Sequence, residues 1–171
     1  MLSIADCRFE NDPRRKQELA GRHLADSIYS AVFGNVEVKR FDGNVLDKTF
    51  AIDTSIRIST GMMLTVQEKF LSNRYASFRS VTVEFLQNQH TGERGDWFRL
   101  SPMVYMVGYF TKDESTFDPW VLLDWPRVVI ETHSNNIKWR DNKNKNGKAR
   151  ASFKYTIMDE LPRSCVIASS L

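Results

Sequence analysis

The apolar positions change period along the chain, and each period names an element. Leu24, Ile28, Ala31 and Val32 recur at helical spacing between Asp12-Pro13 and Gly34. Asp12 is a good capping residue, Pro13 suits a first helical turn, and glycine ends such runs, so a helix is predicted over Pro13–Phe33. Residues 36–41 then alternate, with Val36, Val38 and Arg40 on one face of a short strand.

Residues 51–70 (AIDTSIRISTGMMLTVQEKF) are two β-rich runs either side of Thr60-Gly61, the mark of a hairpin. On the first run Ile52, Thr54, Ile56 and Ile58 share a face against Asp53, Ser55 and Arg57. On the second, Met62, Leu64 and Val66 stand against Met63, Thr65, Gln67 and Lys69. Placing both apolar rows on one side of the sheet requires even-numbered residues to face even-numbered ones. A strict two-residue loop of Thr60-Gly61 pairs 59 with 62 and breaks that match; an odd loop, or a bulge at Gly61, restores it. In that register Asp53 lies across from Gln67 or Lys69, on the face opposite the apolar row. An even loop would instead put Glu68 opposite Asp53.

Further along, residues 80–86 read as a strand, and 100–110 as a short helix running into a strand at 105–110. Residues 120–124 read as a buried strand ending in an acid, 126–132 as a short helix, and 151–158 as a last strand. The order predicts an α/β chain, with α+β as the alternative, built on a mixed sheet. At 171 residues without internal repeats, one domain over 1–171 is expected. A chain of this size buries roughly 70% of its unfolded surface and needs no disulfide or metal to fold. Cys7 and Cys165 therefore read as reduced thiols. No apolar run approaches a membrane span, and Asp6, Arg8 and Glu10 interrupt any signal-peptide core, so a cytoplasmic protein is expected.

Net charge is only +3, but it is unevenly spread. Residues 138–150 (KWRDNKNKNGKAR) carry Lys138, Arg140, Lys143, Lys145, Lys148 and Arg150 against one acid. Residues 112–131 carry five acids against two bases. The basic segment suits a polyanion, and equally a solvated loop or hairpin tip over 142–148. Trp125, Trp139, Phe153 and Tyr155 flank basic residues, where they either stack on bases or fill a core. His23, His90 and His133 are scattered without ligand spacing, and no GxxxxGK[ST] phosphate loop occurs.

Chemistry concentrates in the hairpin. A carboxylate on one strand, with an oxygen donor and a lysine at i and i+2 on the next, can hold a hard cation and place an ammonium beside it. Ile52-Asp53, Gly61 and Val66-Gln67-Glu68-Lys69 resemble the signature of the PD-(D/E)XK nuclease superfamily, in the Mrr-like form with glutamine before the lysine. The likeness covers roughly residues 12–85. It implies a restriction-endonuclease-like core, a mixed sheet flanked by helices, and Mg²⁺- or Mn²⁺-dependent hydrolysis of DNA, with a homodimer as a common assembly. It also implies roles for Asp53 and Gln67 at the metal, with Glu68 as competitor, for Lys69 at the phosphate, and for Glu84 and Glu18 as accessory acids. A nucleic-acid-binding or assembly module without chemistry is the alternative. If the basic segment tracks phosphates, replacing Lys143, Lys145 and Lys148 with Ala should weaken binding to all DNA sequences alike. The slope of log affinity against log salt should then fall by roughly 1 for each phosphate that is no longer neutralised, and an unchanged slope would mark a solvated loop.

Overall fold

A long helix and an alternating hairpin set the first third of the chain. The computed structural model describes residues 13–142 and 151–171. Helix α1 (Pro13–Phe33) leads into β1 (Val36–Arg40), a short helix α2 (Val45–Phe50), β2 (Thr54–Ile58) and β3 (Met63–Leu71). Then come β4 (Ser80–Asn88), β5 (Glu93–Arg94), β6 (Val104–Phe110) and β7 (Phe117–Asp124). Helix α3 (Trp125–His133), β8 (Arg140–Asn142), β9 (Ser152–Ile157) and β10 (Val166–Ser169) complete the order. No helix among the described residues is long and apolar enough to cross a membrane.

The central sheet runs β1-β2-β3-β6-β7-β10, with β3 and β6 parallel and the other neighbours antiparallel. A smaller antiparallel sheet runs β5-β4-β9-β8. The protein is thus mixed α/β with a mixed central sheet. Parity organises the large sheet. Arg40 pairs with Thr54, Thr54 with Val66, Val66 with Val104, and Val104 with Asp124. Even-numbered side chains therefore share one face across five strands. Ile56, Leu64, Val66, Met106 and Leu122 pack there with Ala25 and Tyr29 of α1. On the odd face, Tyr105, Val107, Val121 and Leu123 form a core with Val81 and Val83 of the smaller sheet and Val128 of α3. The expected flanking by helices holds on the α1 side; the smaller sheet covers much of the other.

Local chemistry accounts for the element ends. Asn44 caps α2, its side chain accepting from the Leu46 and Asp47 N–H groups; the apolar pattern does not announce this helix. Asp124 ends β7 and caps α3 by accepting from Arg127 N–H, which gives that strand-ending acid a structural job. The short helix expected at the start of 100–110 is a 3₁₀ turn at Asp96–Phe98 instead. The strand expected at 151–158 is followed by β10, four residues too short to stand out as a periodic run.

Gly21 is where α1 meets β3. A Cβ there would stand 2.4 Å from Cδ2 and 2.7 Å from Cγ of Phe70, whose ring is stacked on Phe117 with centroids 5.2 Å apart. Gly21→Ala gains up to about 1 kcal/mol of helix propensity but overpacks the junction at a cost of about 1–3 kcal/mol. Thermal melts should show a net loss of stability, partly recovered when Phe70→Leu is added.

Candidate active site

The β2–β3 turn decides which residues meet. Ile58 N–H donates to Met62 O at 3.0 Å and Gly61 N–H to Ile58 O at 2.8 Å, with Gly61 at φ +85°. Three residues, 59–61, thus lie between the paired ends, and the glycine takes the left-handed conformation such a loop needs. The odd loop restores even-to-even pairing: Arg57 sits opposite Met63 and Thr54 opposite Val66. The ladder ends at Thr54, and just beyond it Asp53 lines the same cleft as Gln67. The Asp53 backbone is fixed on both sides, N–H to Val66 O at 2.9 Å and O from Phe41 N–H at 2.8 Å.

At this step β3 outruns β2, and a cleft of about 390 Å³ opens along its free edge. Gln17, Glu18 and Arg22 of α1 line it together with Asp53, Gln67, Glu68 and Phe70. Sequence-expected Asp53, Gln67, Glu68 and Glu18 therefore come together. Lys69 and Glu84 are not among the lining residues. Lys69, on the odd face with Gln67, carries its ammonium 5.8 Å from the centre of the Phe153 ring. It is close enough to Glu84 to hold that carboxyl down against burial, and against Asp96, which push it up.

Glu68 meets Asp53 through its backbone, its N–H donating to Asp53 Oδ2 at 2.8 Å. Its side chain points to the helix face. There the carboxylate, 4% exposed, accepts from Tyr29 OH at 2.8 Å and from the Arg40 guanidinium. Arg40 also bridges Asp26 and donates to Arg22 O at 3.3 Å. Arg22 in turn bonds Glu18 at 2.6 Å and Asp42 at 2.9 Å. Burial raises the Glu68 pKa, with Arg40 and Tyr29 opposing it.

Burial also pushes Asp53 up to about 7, with the Glu68 N–H pulling the other way and the carboxylates of Glu68, Asp47 and Asp96 adding to the rise. In the same cleft, Gln67 Oε1 is buried and accepts no hydrogen bond among the described residues. A desolvated carboxyl among like charges and an unengaged carbonyl oxygen both gain from a hard cation. Asp53 and Gln67 are thus donors that fit Mg²⁺ or Mn²⁺, which keeps several waters when few protein oxygens are offered. Among the described residues no three His, Cys, Asp or Glu side chains converge as a ligand group. Arg22, Arg40 and Asp96 are site residues that the sequence pattern does not single out. Arg22 is legible as the i+4 partner of Glu18 and Arg40 from its strand face, whereas nothing in the pattern marks Asp96.

In the basic segment, Lys138 is exposed and Arg140 is held by both carboxylate oxygens of Glu160 at 2.9 and 2.8 Å. Lys143, Lys145, Lys148 and Arg150 lie outside the described residues, as does Cys7. The chain matches no family model, no curated protein and no solved structure, so its chemistry is read from its own residues.

The Asp53 shift has a stability consequence whose sign is fixed. Between the ordinary value of 3.8 and about 7 the folded carboxyl keeps a proton that the unfolded chain has lost. Its contribution is therefore fully present below the lower value and disappears as pH rises through the upper one. In metal-free buffer, the stability of the parent relative to Asp53→Asn should fall across that window and level off above it. Thermal or urea melts of the pair check this.

Proposed function

We propose that this chain is a divalent-metal-dependent nuclease acting on DNA, with a PD-(D/E)XK-type core. The observation that carries the reading is that Asp53, just before β2, and Gln67 of β3 line one cleft with Glu18 of α1, Lys69 following Gln67 by two residues on the same strand. The helix, the antiparallel β1-β2-β3 run and the parallel β6 beside it support the restriction-endonuclease-like reading of the core.

When bound, the cation would polarise a phosphodiester oxygen and lower the pKa of a coordinated water. Asp53 and Gln67 would hold it, and the Glu68 N–H fixes the Asp53 carboxylate in the orientation needed. Lys69 would leave the Phe153 ring to place positive charge on the phosphate as negative charge develops there. Glu18, clamped by Arg22, would orient water at the mouth of the cleft. Glu84, raised in pKa and facing Lys69, would hold that ammonium in reserve.

A second reading, a nucleic-acid-binding module without chemistry, is favoured by the absence of Lys69 from the cleft lining. Cleavage separates the two. Plasmid DNA incubated with Mg²⁺ should be cut by the parent protein, and Asp53→Asn or Lys69→Ala should lower the rate on the order of 10²-fold or more without a change in circular dichroism. Gln67→Glu, which adds a charged oxygen donor, should retain activity. Absence of cutting by the parent, or rates in both variants equal to the parent's, would overturn the nuclease reading.

A further inference from the structure

Arg94 to Trp139 trace a second feature, apart from the cleft. The Arg94 guanidinium lies 4.8 Å from the centre of the Phe98 ring, and Phe98 packs on Phe85 with centroids 5.1 Å apart. Lys154 Nζ then sits 4.6 Å from the Phe85 ring centre and 5.6 Å from that of Trp97. Trp97 meets Trp139 edge to face at 4.9 Å. The rings thus fall in two pairs along the rim of the smaller sheet, Phe98 with Phe85 and Trp97 with Trp139; Arg94 lies at the outer end, and Lys154, whose ammonium also bonds Asp141 Oδ1 at 2.7 Å, lies between the pairs. Phe98 is 47% exposed, Arg94 is exposed, and Phe85, Trp97 and Trp139 are half-buried.

The strip ends in a cavity of about 160 Å³ between the Asp96–Phe98 turn and α3, walled by Trp97, Trp125 and Trp139 with Val128 and His133. Two of the three indole N–H groups are already used, Trp139 on Thr132 Oγ1 at 2.9 Å and Trp125 on Leu100 O at 3.2 Å. The Trp125 and Trp139 rings are thereby locked in place. The cavity offers a planar guest fixed aromatic walls, and the strip before it offers ring faces with cations beside them. Asp96, whose charge reaches Asp53, opens the turn that carries Trp97 and Phe98.

We propose that this rim is a binding track for unpaired nucleobases, which stack along Phe98, Phe85 and Trp97 and reach the tryptophan cavity. A single strand matches such a rim: each base has a face to lay against exposed Phe98 and the rings behind it, and each linking phosphate a negative charge for Arg94 or Lys138. In a duplex the faces are occupied by neighbouring bases, so the track discriminates single from double strand. Exposed Lys138 just before the adjacent β8 adds a cation beyond the cavity, while Arg140 on that strand is held by Glu160. The proposal rests on nucleic acid being the ligand and adds to the proposed function the form of strand that is engaged.

Binding is measured in chelator, so that cleavage does not enter, by anisotropy of a short labelled pyrimidine strand. Its duplex and an abasic strand of equal length serve as comparisons. The single strand should bind on the order of 10-fold or more tighter than either and quench tryptophan emission. Phe98→Ala, an exposed position, and Trp139→Leu should each weaken the single strand about 10-fold while leaving the abasic strand unchanged. Equal affinity for the single and abasic strands, absence of single-strand binding, or a Phe98→Ala protein that binds like the parent would overturn the track. Duplex cleavage in Mg²⁺ despite such a result fails this inference alone. Retained stacking without cleavage fails the nuclease reading alone.

Discussion

A three-residue turn between β2 and β3 is the constraint on which the other features depend. Because side chains alternate along a strand, one residue more or less in that turn would exchange the faces on which Gln67 and Glu68 stand relative to β2. It would also turn Ile56 or Val66 away from α1. The same choice therefore fixes the helix-facing core and the contents of the cleft. Gly61, at φ +85°, makes the odd loop accessible, since the left-handed region is costly for a residue with a Cβ. The apolar row gains by burying itself against Ala25 and Tyr29, and no polar residue of the cleft needs to steer the register. Packing of one face delivers the chemistry of the other.

Glu68 illustrates how the two faces are joined. A carboxylate at 4% exposure would be strongly destabilising alone, and removing one partner of such a pair typically costs about 3–5 kcal/mol. Here Arg40 and the Tyr29 hydroxyl satisfy it, and Arg40 extends to Asp26 and to the Arg22 carbonyl. Strand β1, helix α1 and strand β3 are thus tied by one buried polar network. Such a network gives little net stability compared with apolar side chains, but it permits only one placement of α1 over the sheet. Since the Glu68 N–H also holds the Asp53 carboxylate, the position of α1 and the geometry at Asp53 are linked through a single residue.

How much of this is legible in the sequence follows from how local each signal is. The cap before α1, the alternation of β1 and the parity argument for the hairpin rest on neighbours in the chain, and the structure has β1 and the hairpin where the pattern puts them. Asp53 and Gln67 line one cleft because the register of β2 against β3 is set by a turn only a few residues away. The face opposite α1 is expected to carry helices, and the smaller sheet found there depends on β4 pairing with β9, some seventy positions later, which no periodicity reveals. Asp96 reaches Asp53 only through that arrangement. Lys69 shows the converse limit: spacing puts it on the right face of β3, yet the ring of Phe153, brought in by the distant strand β9, draws its ammonium aside.

The charge around Asp53 poses a question that the nuclease reading answers in physical terms. Asp47, Glu68 and Asp96 all raise the Asp53 pKa, so the edge of the cleft is a place from which a phosphate should be repelled. Positive side chains nearby do not reverse this, because Arg22 is shared between Glu18 and Asp42, and Arg40 between Asp26 and Glu68. A polyanion can approach such a cleft only if a cation enters with it. In the proposed nuclease the acids and the unengaged Gln67 oxygen would hold that cation, and relief of their mutual repulsion would add to its affinity. An acid-rich cleft with its arginines already engaged, in a molecule whose smaller sheet carries a rim of aromatic rings, underlies the division of labour we propose: the rim would take the strand and the cleft the metal.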